Sequence, residues 1–291
     1  MLFVQQLING VALGSIYALV ALGLSLIWAT ARLLDFAYGE IFMIAGLVAW
    51  TLTVAGGLPI IPSMMIAVLV AAVVGFLVQR GVYMPLANKD HVVVLLATIG
   101  MSMVLRDGAT KVWGTDTFVF PSPFQGVWVI GDVVIRTHFL FIIGGAAILI
   151  LVFNFVLKRS RVGLAMRALA ENRDVAAMMG VSVLALLAIA FAISYLMGAA
   201  AGVLIAPIHY IAATGGTGMM IKGITAAVLG GFGSLTGALL GGLLIGIVEA
   251  MSAGFISSTF KDVVVFGIFV AVLYVMPQGL LGKRRQGISE L

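Results

Sequence analysis

Residues 222–251 read KGITAAVLGGFGSLTGALLGGLLIGIVEAM, an apolar run interrupted by Gly230, Gly231 and Gly233. A membrane-spanning helix needs about 20 apolar residues, and this run is longer than one such helix. Glycine-rich interruptions inside a membrane are tolerated only where protein or water covers the freed backbone groups. We therefore predict a broken helix here. The alternative is one straight helix that uses its glycines as a packing face.

The composition of the whole chain also indicates a membrane protein. Of the 291 residues, 63% are hydrophobic and only 9% are charged, against about 25% charged residues in a typical soluble domain. The excess apolar surface is expected to face lipid, so residues 1–291 are predicted to form a single all-α transmembrane domain. Stretches long enough to span a bilayer occur near residues 5–29, 36–55, 62–84, 92–112, 138–157, 183–208, 222–251 and 262–281. The predicted count is about eight to nine helices, depending on whether the glycine-rich run crosses twice.

Basic residues indicate which helix ends face the cytoplasm, because cytoplasmic loops carry an excess of Lys and Arg. The segment 158–182 holds the densest basic cluster before the C-terminal run Lys283, Arg284 and Arg285. If both are cytoplasmic, an even number of spans separates them, which favours splitting 222–251 into two crossings. The five preceding spans then place the N-terminus outside.

The same segment, 158–182, is predicted to form two short helices between membrane spans. Its first part is rich in helix formers, and Arg167 and Glu171 are spaced to pair on one helix face. Asn172 and Asp174 are good N-cap residues for a second helix, which Gly180 would end. An ordinary interfacial turn is the alternative to a docking element for a soluble partner.

Five stretches, in chain order, resemble the branched-chain (hydrophobic) amino acid ABC transporter permease family. They are Asn9-Gly10 through Gly14-Ser15-Ile16-Tyr17 to Ile27, Asp35-Phe-Ala-Tyr-Gly-Glu40, Arg161 to Asn172 with Ala176 to Gly180, Gly230-Gly-Phe-Gly-Ser234 with Gly237-Ala238 and Gly241-Gly242, and Pro277-Gln-Gly-Leu-Leu-Gly282. The chain departs from the family at Asp35, where Asn is usual, and at Tyr38, where His is usual.

This resemblance implies the fold of a type II ABC importer permease in a bacterial inner membrane. The expected partners are two cytoplasmic ABC ATPases, a second permease subunit in the form of a different homologous chain, and a periplasmic substrate-binding protein. ATP and Mg²⁺ would be bound by the ATPases and no cofactor by this chain. The solute expected is a branched-chain amino acid, with other amino acids, urea, short amides and aromatic acids left open.

The resemblance also suggests which residues carry function. Residues assigned to coupling with the ATPases are Gly163, Arg167, Ala168, Glu171, Asn172 and Gly180. Candidates for the translocation path, which we expect between the two permease subunits, are Asn9, Ser15, Tyr17, Asp35, Tyr38, Glu40, Gly230, Gly231, Gly233 and Ser234.

Polar residues within spans are costly and therefore suggest function. Asp35 and Glu40, at the start of the second helix and near Arg32, are expected either to form an interfacial salt bridge or to fix the broken entry of that helix. Glu249 is expected either to snorkel to the interface or to act in gating or subunit pairing. Lys222 and His209 flank a predicted outer loop and are candidates for contacting the binding protein.

Other function classes find less support in the sequence. The chain contains no Gly-x-x-x-x-Gly-Lys-Ser/Thr loop for nucleotide phosphates, no cysteine, and no His/Asp/Glu cluster with metal-ligand spacing. The net charge of +5 reflects the positive-inside bias, so no nucleic acid is expected as a partner. A secondary transporter would place ionisable groups in mid-span, and a membrane-embedded enzyme would need a reactive pair. Both remain alternatives.

Overall fold

The structure is a computed structural model that describes residues 2–86, 89–124, 126–130 and 133–282. The basic run Lys283, Arg284 and Arg285, predicted to be cytoplasmic, lies outside the described residues. The helices are α1 (Leu2–Ala31), α2 (Tyr38–Trp50), α3 (Ile60–Val78), α4 (His91–Trp113), α5 (Thr137–Arg159), α6 (Arg161–Glu171), α7 (Arg173–Met178), α8 (Val183–Ile205), α9 (Gly216–Gly230), α10 (Leu235–Phe255) and α11 (Lys261–Val275). Wider π-helical turns, Thr51–Ala55 and Gln79–Tyr83, extend α2 and α3.

Within the described residues, seven helices are long and apolar enough to cross a membrane: α1, α2 and α3 with their extensions, α4, α5, α8 and α10. The protein is thus a multi-pass membrane protein. Helices α9 and α11 have 15 residues each, short of the roughly 20 that a full span needs. The predicted count of eight to nine spans is therefore not confirmed. The stretch predicted at 262–281 ends as helix at Val275, two residues before Pro277, which cannot continue a helix.

Short strands join some of the loops. The strands are β1 (Thr117–Phe118), β2 (Val127–Ile130), β3 (Val133–Arg136) and β4 (Ile211–Ala212). Strands β2 and β3 form an antiparallel hairpin. Strands β1 and β4 are also antiparallel and tie the loop after α4 to the loop after α8.

Helix α1 lies at the centre of the fold, where it contacts α10, α8, α9 and α5. Small residues permit the closest of these contacts. A Cβ placed on Gly10 would lie 2.7 Å from the Cα of Ile247, and one on Gly14 would lie 2.8 Å from the Cα of Leu243. A Cβ on Gly246 would meet the backbone of Gly14 itself. Such close backbone approach is how helices associate in a bilayer, where burial of apolar surface offers no advantage over lipid.

The predicted break in the glycine-rich run is confirmed. Helix α9 ends at Gly230, and α10 begins at Leu235. Gly231 and Gly233 have φ values of 105° and 85°, which residues with a Cβ rarely adopt. The Ser234 hydroxyl then accepts a hydrogen bond from Gly237 N at 3.2 Å and caps α10.

The segment after α11 covers the freed backbone at this break. Leu280 N donates to Leu229 O at 2.8 Å, and Leu281 N donates to Gly230 O at 3.0 Å. A Cβ on Gly279 would lie 2.5 Å from Gly231 N, so the backbones of these two segments meet with no side chain between them. The broken helix is therefore stabilised by protein, as a break inside a membrane requires.

Candidate functional site

The segment predicted to form two short helices does so, as α6 and α7. The Ser160 hydroxyl caps α6 by accepting from Gly163 N at 2.9 Å. The Asn172 side chain caps α7 by accepting from Asp174 N at 3.0 Å and Val175 N at 3.1 Å. Asn172, and not Asp174, is thus the cap, and Gly180 with φ 83° follows α7 as expected.

The coupling candidates differ in what they do within these helices. Gly163 is buried against the backbone of Leu157, where a side chain would not fit. The Arg167 guanidinium donates to Gly163 O at 3.4 Å and to Lys158 O at 3.5 Å. Among the described residues the structure records no ion pair between Arg167 and Glu171, so the predicted i,i+4 pair is wrong. Ala168 and Glu171 are exposed.

Large apolar side chains on α6, on α7 and directly after α7 face outward. Met178 is 87% exposed and Met179 80% exposed, and Leu164 and Val175 are also exposed. Their position in a basic segment between α5 and α8 distinguishes them from the lipid-facing residues of the long helices. Exposed apolar residues on a polar element are typical of a surface for protein contact, and methionines adapt readily to a partner's shape.

Asp35 lies in the turn between α1 and α2 and is fully buried. Its carboxylate accepts from Tyr195 Oη at 2.7 Å, Tyr83 Oη at 2.8 Å and Ala37 N at 3.0 Å. Burial raises the pKa of Asp35, against the lowering effect of these hydrogen bonds. The predicted interfacial salt bridge with Arg32 is therefore wrong, because Arg32 instead donates to Ala170 O at 3.5 Å.

Asp35 thus clasps the start of α2 to α8 and to the turn that extends α3. Tyr195 belongs to α8 and Tyr83 to that turn, so the carboxylate joins segments that are distant in sequence. Tyr38, the neighbouring departure from the family, fills a gap between Gly23 and Gly198 and donates to Ser194 O at 3.0 Å. A side chain at either glycine would collide with the Tyr38 ring.

Removing the Tyr195 hydroxyl should show how much its hydrogen bond to Asp35 contributes to stability. Tyr195→Phe is expected to lower the free energy of unfolding by about 1–3 kcal/mol, since it leaves a buried carboxylate with one partner fewer. Tyr274→Phe is the matched control, because Tyr274 is 90% exposed. Thermal unfolding of the purified variants checks the expectation, and equal midpoints for the two variants would contradict it.

The remaining polar path candidates lie in the helix interior or near the N-terminus. Glu40 is buried in the first turn of α2, where it accepts from Ser102 Oγ at 3.1 Å and Thr217 Oγ1 at 3.2 Å. Ser15 donates to Val11 O at 2.7 Å within its own helix. Asn9 donates to the Gln6 side chain at 3.4 Å and is only partly buried. Glu40 is thus the member of this group that bonds to other helices.

Glu249 lies at the centre of a buried ionic cluster and does not snorkel to the interface. It is 1% exposed, and its carboxylate lies 2.6 Å from Lys222 Nζ and 3.0 Å from Lys261 Nζ. Tyr17 Oη donates to the other carboxylate oxygen at 2.7 Å. Lys222 is also 3.0 Å from Asp262 Oδ1, although that contact is not aligned as a hydrogen bond. The cluster therefore joins α1, α9, α10 and α11.

This cluster was only partly predictable from the sequence. Lys222 was expected beside an outer loop, but α9 begins at Gly216, so Lys222 lies in its second turn and pairs inside the protein. Lys261 and Asp262 were not predicted as functional residues. Their adjacent charges at the start of an apolar stretch were a signal, but nothing in the sequence indicated that they would reach Glu249.

A cavity of about 310 Å³ lies beside this cluster. Helices α2, α8 and α9, the loop around β4 and the start of α11 form its walls, and its charged lining residues are Lys222 and Asp262. Of the described residues that line it, none is among the path candidates predicted from the sequence. His209 also lines the cavity, and burial, followed by the nearby charges of Lys261 and Lys222, lowers the pKa of its imidazole.

Comparison with known proteins gives consistent matches along the chain. A family model described as the permease component of branched-chain amino acid transport systems matches residues 6–273. The high-affinity branched-chain amino acid transport permease LivH of Escherichia coli K12 is 35% identical, over 97% of this chain and 96% of LivH. BraD of Pseudomonas aeruginosa, a permease of the same description, is 34% identical over the same shares. The probable LivH of Methanocaldococcus jannaschii is 26% identical over 92% of this chain and 89% of its own.

Proposed function

Because the chain belongs to the family of branched-chain amino acid transport permeases, we propose that it is the membrane-spanning subunit of an ABC importer. Its solute is a branched-chain or other hydrophobic amino acid. The observation that carries this proposal is the identity of 35% over nearly the full length of both chains. The multi-pass apolar helices support it.

The importer has the subunits that this family implies. Two cytoplasmic ABC ATPases bind ATP and Mg²⁺ and supply the energy, since this sequence has no P-loop of its own. A second permease subunit completes the membrane part, and a periplasmic protein delivers the solute. The complex resides in a bacterial inner membrane.

The membrane topology has nine crossings in the type II arrangement, with the N-terminus outside. Helices α8, α9, α10 and α11 separate the basic segment 158–182 from the C-terminal basic run, and four crossings keep both on the cytoplasmic side. Helix α9 is about 22 Å long at about 1.5 Å per residue, so it crosses only part of the bilayer. The segment that leads into it, which is buried at Ala206, Ile211 and Ala213, completes the crossing.

Helices α6 and α7 couple this subunit to an ATPase. They are short, follow a basic helix end, and expose the apolar side chains Leu164, Val175, Met178 and Met179. Of the residues predicted for coupling, Arg167, Ala168 and Glu171 are exposed for contact, whereas Gly163, Asn172 and Gly180 shape the two helices. Movement of this element by the ATPases shifts the spans between outward-open and inward-open states.

The proposed function is tested by purifying the tagged chain from its native membrane and identifying the proteins that accompany it. Two nucleotide-binding subunits and a second permease are expected. The reconstituted complex should then take up leucine only when ATP and the binding protein are present. Uptake by this chain alone, driven by a proton or sodium gradient, would contradict the proposal and indicate a secondary transporter.

A charge on the exposed face of α7 should weaken coupling. Met178→Asp is expected to reduce recovery of the ATPases with the permease by about tenfold, because an unpaired carboxylate would be buried in the contact. Val119→Asp is the control, since Val119 is 65% exposed in the loop that follows β1 and does not line the cavity described above. If ATPase recovery and ATP-driven uptake by the Met178→Asp complex equal those of the control, α7 is not the coupling surface.

A further inference from the structure

The cavity beside the ionic cluster has the composition expected of a small-ligand site. Its volume of about 310 Å³ lies at the lower end of the range of about 300–1,000 Å³ for ligand pockets. Apolar side chains cover most of its wall, among them Phe42, Met43, Ile205 and Met219. Such pockets combine a mostly apolar lining with a few polar groups that orient the ligand. The two charged groups that can orient a ligand here are the Lys222 ammonium and the Asp262 carboxylate.

The two charged residues in the wall lie close enough to receive both ends of a zwitterion. Lys222 Nζ and Asp262 Oδ1 are 3.0 Å apart. The Lys222 side chain is 13% exposed and held by Glu249, whereas that of Asp262 is 51% exposed. Asp262 is thus the partner that is free to move away. A ligand carboxylate can take its place at Lys222, while the ligand ammonium pairs with Asp262, so the charge of the site stays balanced.

The start of α9 provides a second favourable feature for a carboxylate. Gly215, Gly218, Met219 and Lys222 all line the cavity, so the first turns of this helix form part of its wall. The first N–H groups of a helix lack partners within it, and the helix dipole favours negative charge there. A Cβ built on Gly218 meets no atom within 4 Å, so a ligand can approach the backbone at this position.

From these contacts we infer that the cavity binds a zwitterionic α-amino acid with an apolar side chain. Its carboxylate is held by Lys222, its ammonium by Asp262, and its side chain by the apolar wall of Phe42, Met43 and Met219. The inference rests on the proposed function and adds to it a solute-binding site within this single chain. Recognition by the permease itself would then select the solute a second time, after the binding protein.

Filling the cavity tests this site directly. Gly218→Leu places a side chain in the open space, whereas Gly144→Leu, also at an exposed helical glycine with open space, points away from the cavity on α5. Radiolabelled leucine binding is measured on the whole importer in nanodiscs, without the binding protein. Gly218→Leu is expected to weaken leucine binding by about tenfold or more, and Gly144→Leu to leave it unchanged. Equal binding by the two variants, or no binding by the unmodified importer, overturns the inference.

A charge variant tests the orientation of the ligand. Asp262→Asn should weaken leucine binding by about tenfold, since a charge-assisted contact to the ammonium is lost. Binding of 4-methyl-2-oxopentanoate, which keeps the carboxylate and side chain but has no ammonium, should not weaken. If both ligands lose affinity equally, Asp262 does not receive the ammonium and the proposed orientation is wrong.

The same preparations separate this inference from the proposed function. If the unmodified importer takes up leucine with ATP but its Gly218→Leu variant binds leucine normally, the proposed function stands and only the proposed site is wrong. If the unmodified importer takes up no amino acid in the presence of its binding protein, both proposals are wrong. Assembly with the ATPases and basal ATP hydrolysis confirm that each variant is folded.

Discussion

Gly246→Ala is expected to lower the free energy of unfolding by about 2–3 kcal/mol, although it adds a single methyl group. That methyl group would meet the backbone N and Cα of Gly14, and neither can move without displacing α1. Because α1 lies at the centre of the fold, separating it from α10 also loosens its contacts with α8 and α9. The measurement is the thermal unfolding midpoint of the purified chain, together with its resistance to trypsin.

Gly100→Ala is the matched control for this prediction. Gly100 lies within α4, and a Cβ there meets no atom within 4 Å. Alanine is favoured over glycine in a helix interior by about 1 kcal/mol, so this variant should be as stable as the original protein or slightly more stable. The same substitution would then lower the stability at Gly246 and leave it unchanged or raise it at Gly100, and the difference would come from packing. Equal effects would contradict the α1–α10 contact.

Glu249→Ala is expected to destabilise the protein by about 3–5 kcal/mol, the range for removing one partner of a buried ion pair. Lys261 loses its carboxylate partner, Lys222 keeps Asp262 and the Tyr17 hydroxyl as partners, and the Tyr17 hydroxyl loses its acceptor. The free energy of unfolding of Glu249→Gln should lie between those of Glu249→Ala and the original protein, because the amide oxygen still accepts a hydrogen bond. The free energy of unfolding of each variant checks the order.

The control for this cluster is an exposed ion pair. Asp107 is 78% exposed and lies 3.9 Å from Arg106 on α4. Asp107→Ala should change stability little, because exposed pairs are screened by solvent. If Glu249→Ala proved as stable as Asp107→Ala, the buried cluster would not hold the four helices together.

Local features of the fold were predictable from the sequence because their causes are local. The break after Gly230 follows from glycines that adopt positive φ, and the cap at Asn172 follows from an amide placed just before helix formers. The low fraction of charged residues indicated a membrane protein before any helix was located.

Pairings between helices were not predictable in this way. A helix that is apolar on every side carries no periodic signal to separate its lipid-facing residues from its buried ones. The sequence therefore gave no reason to join Asp35 with Tyr195, which are 160 residues apart, or Tyr17 with Glu249, which are 232 apart. A pairing of Arg32 with Asp35 was one of two expectations, because these residues are only three positions apart in the sequence.

By itself the sequence determined the membrane class, the approximate helix positions, the break at Gly230 and the family. The tertiary structure alone decided which buried charges meet and where the cavity lies. Whether a helix forms or breaks depends on residues within one or two turns of each other. Lys222, Glu249 and Lys261, in contrast, lie on three different helices and meet only because of how these helices pack against one another. That register is set by close contacts such as Gly14 against Gly246, which no local pattern specifies.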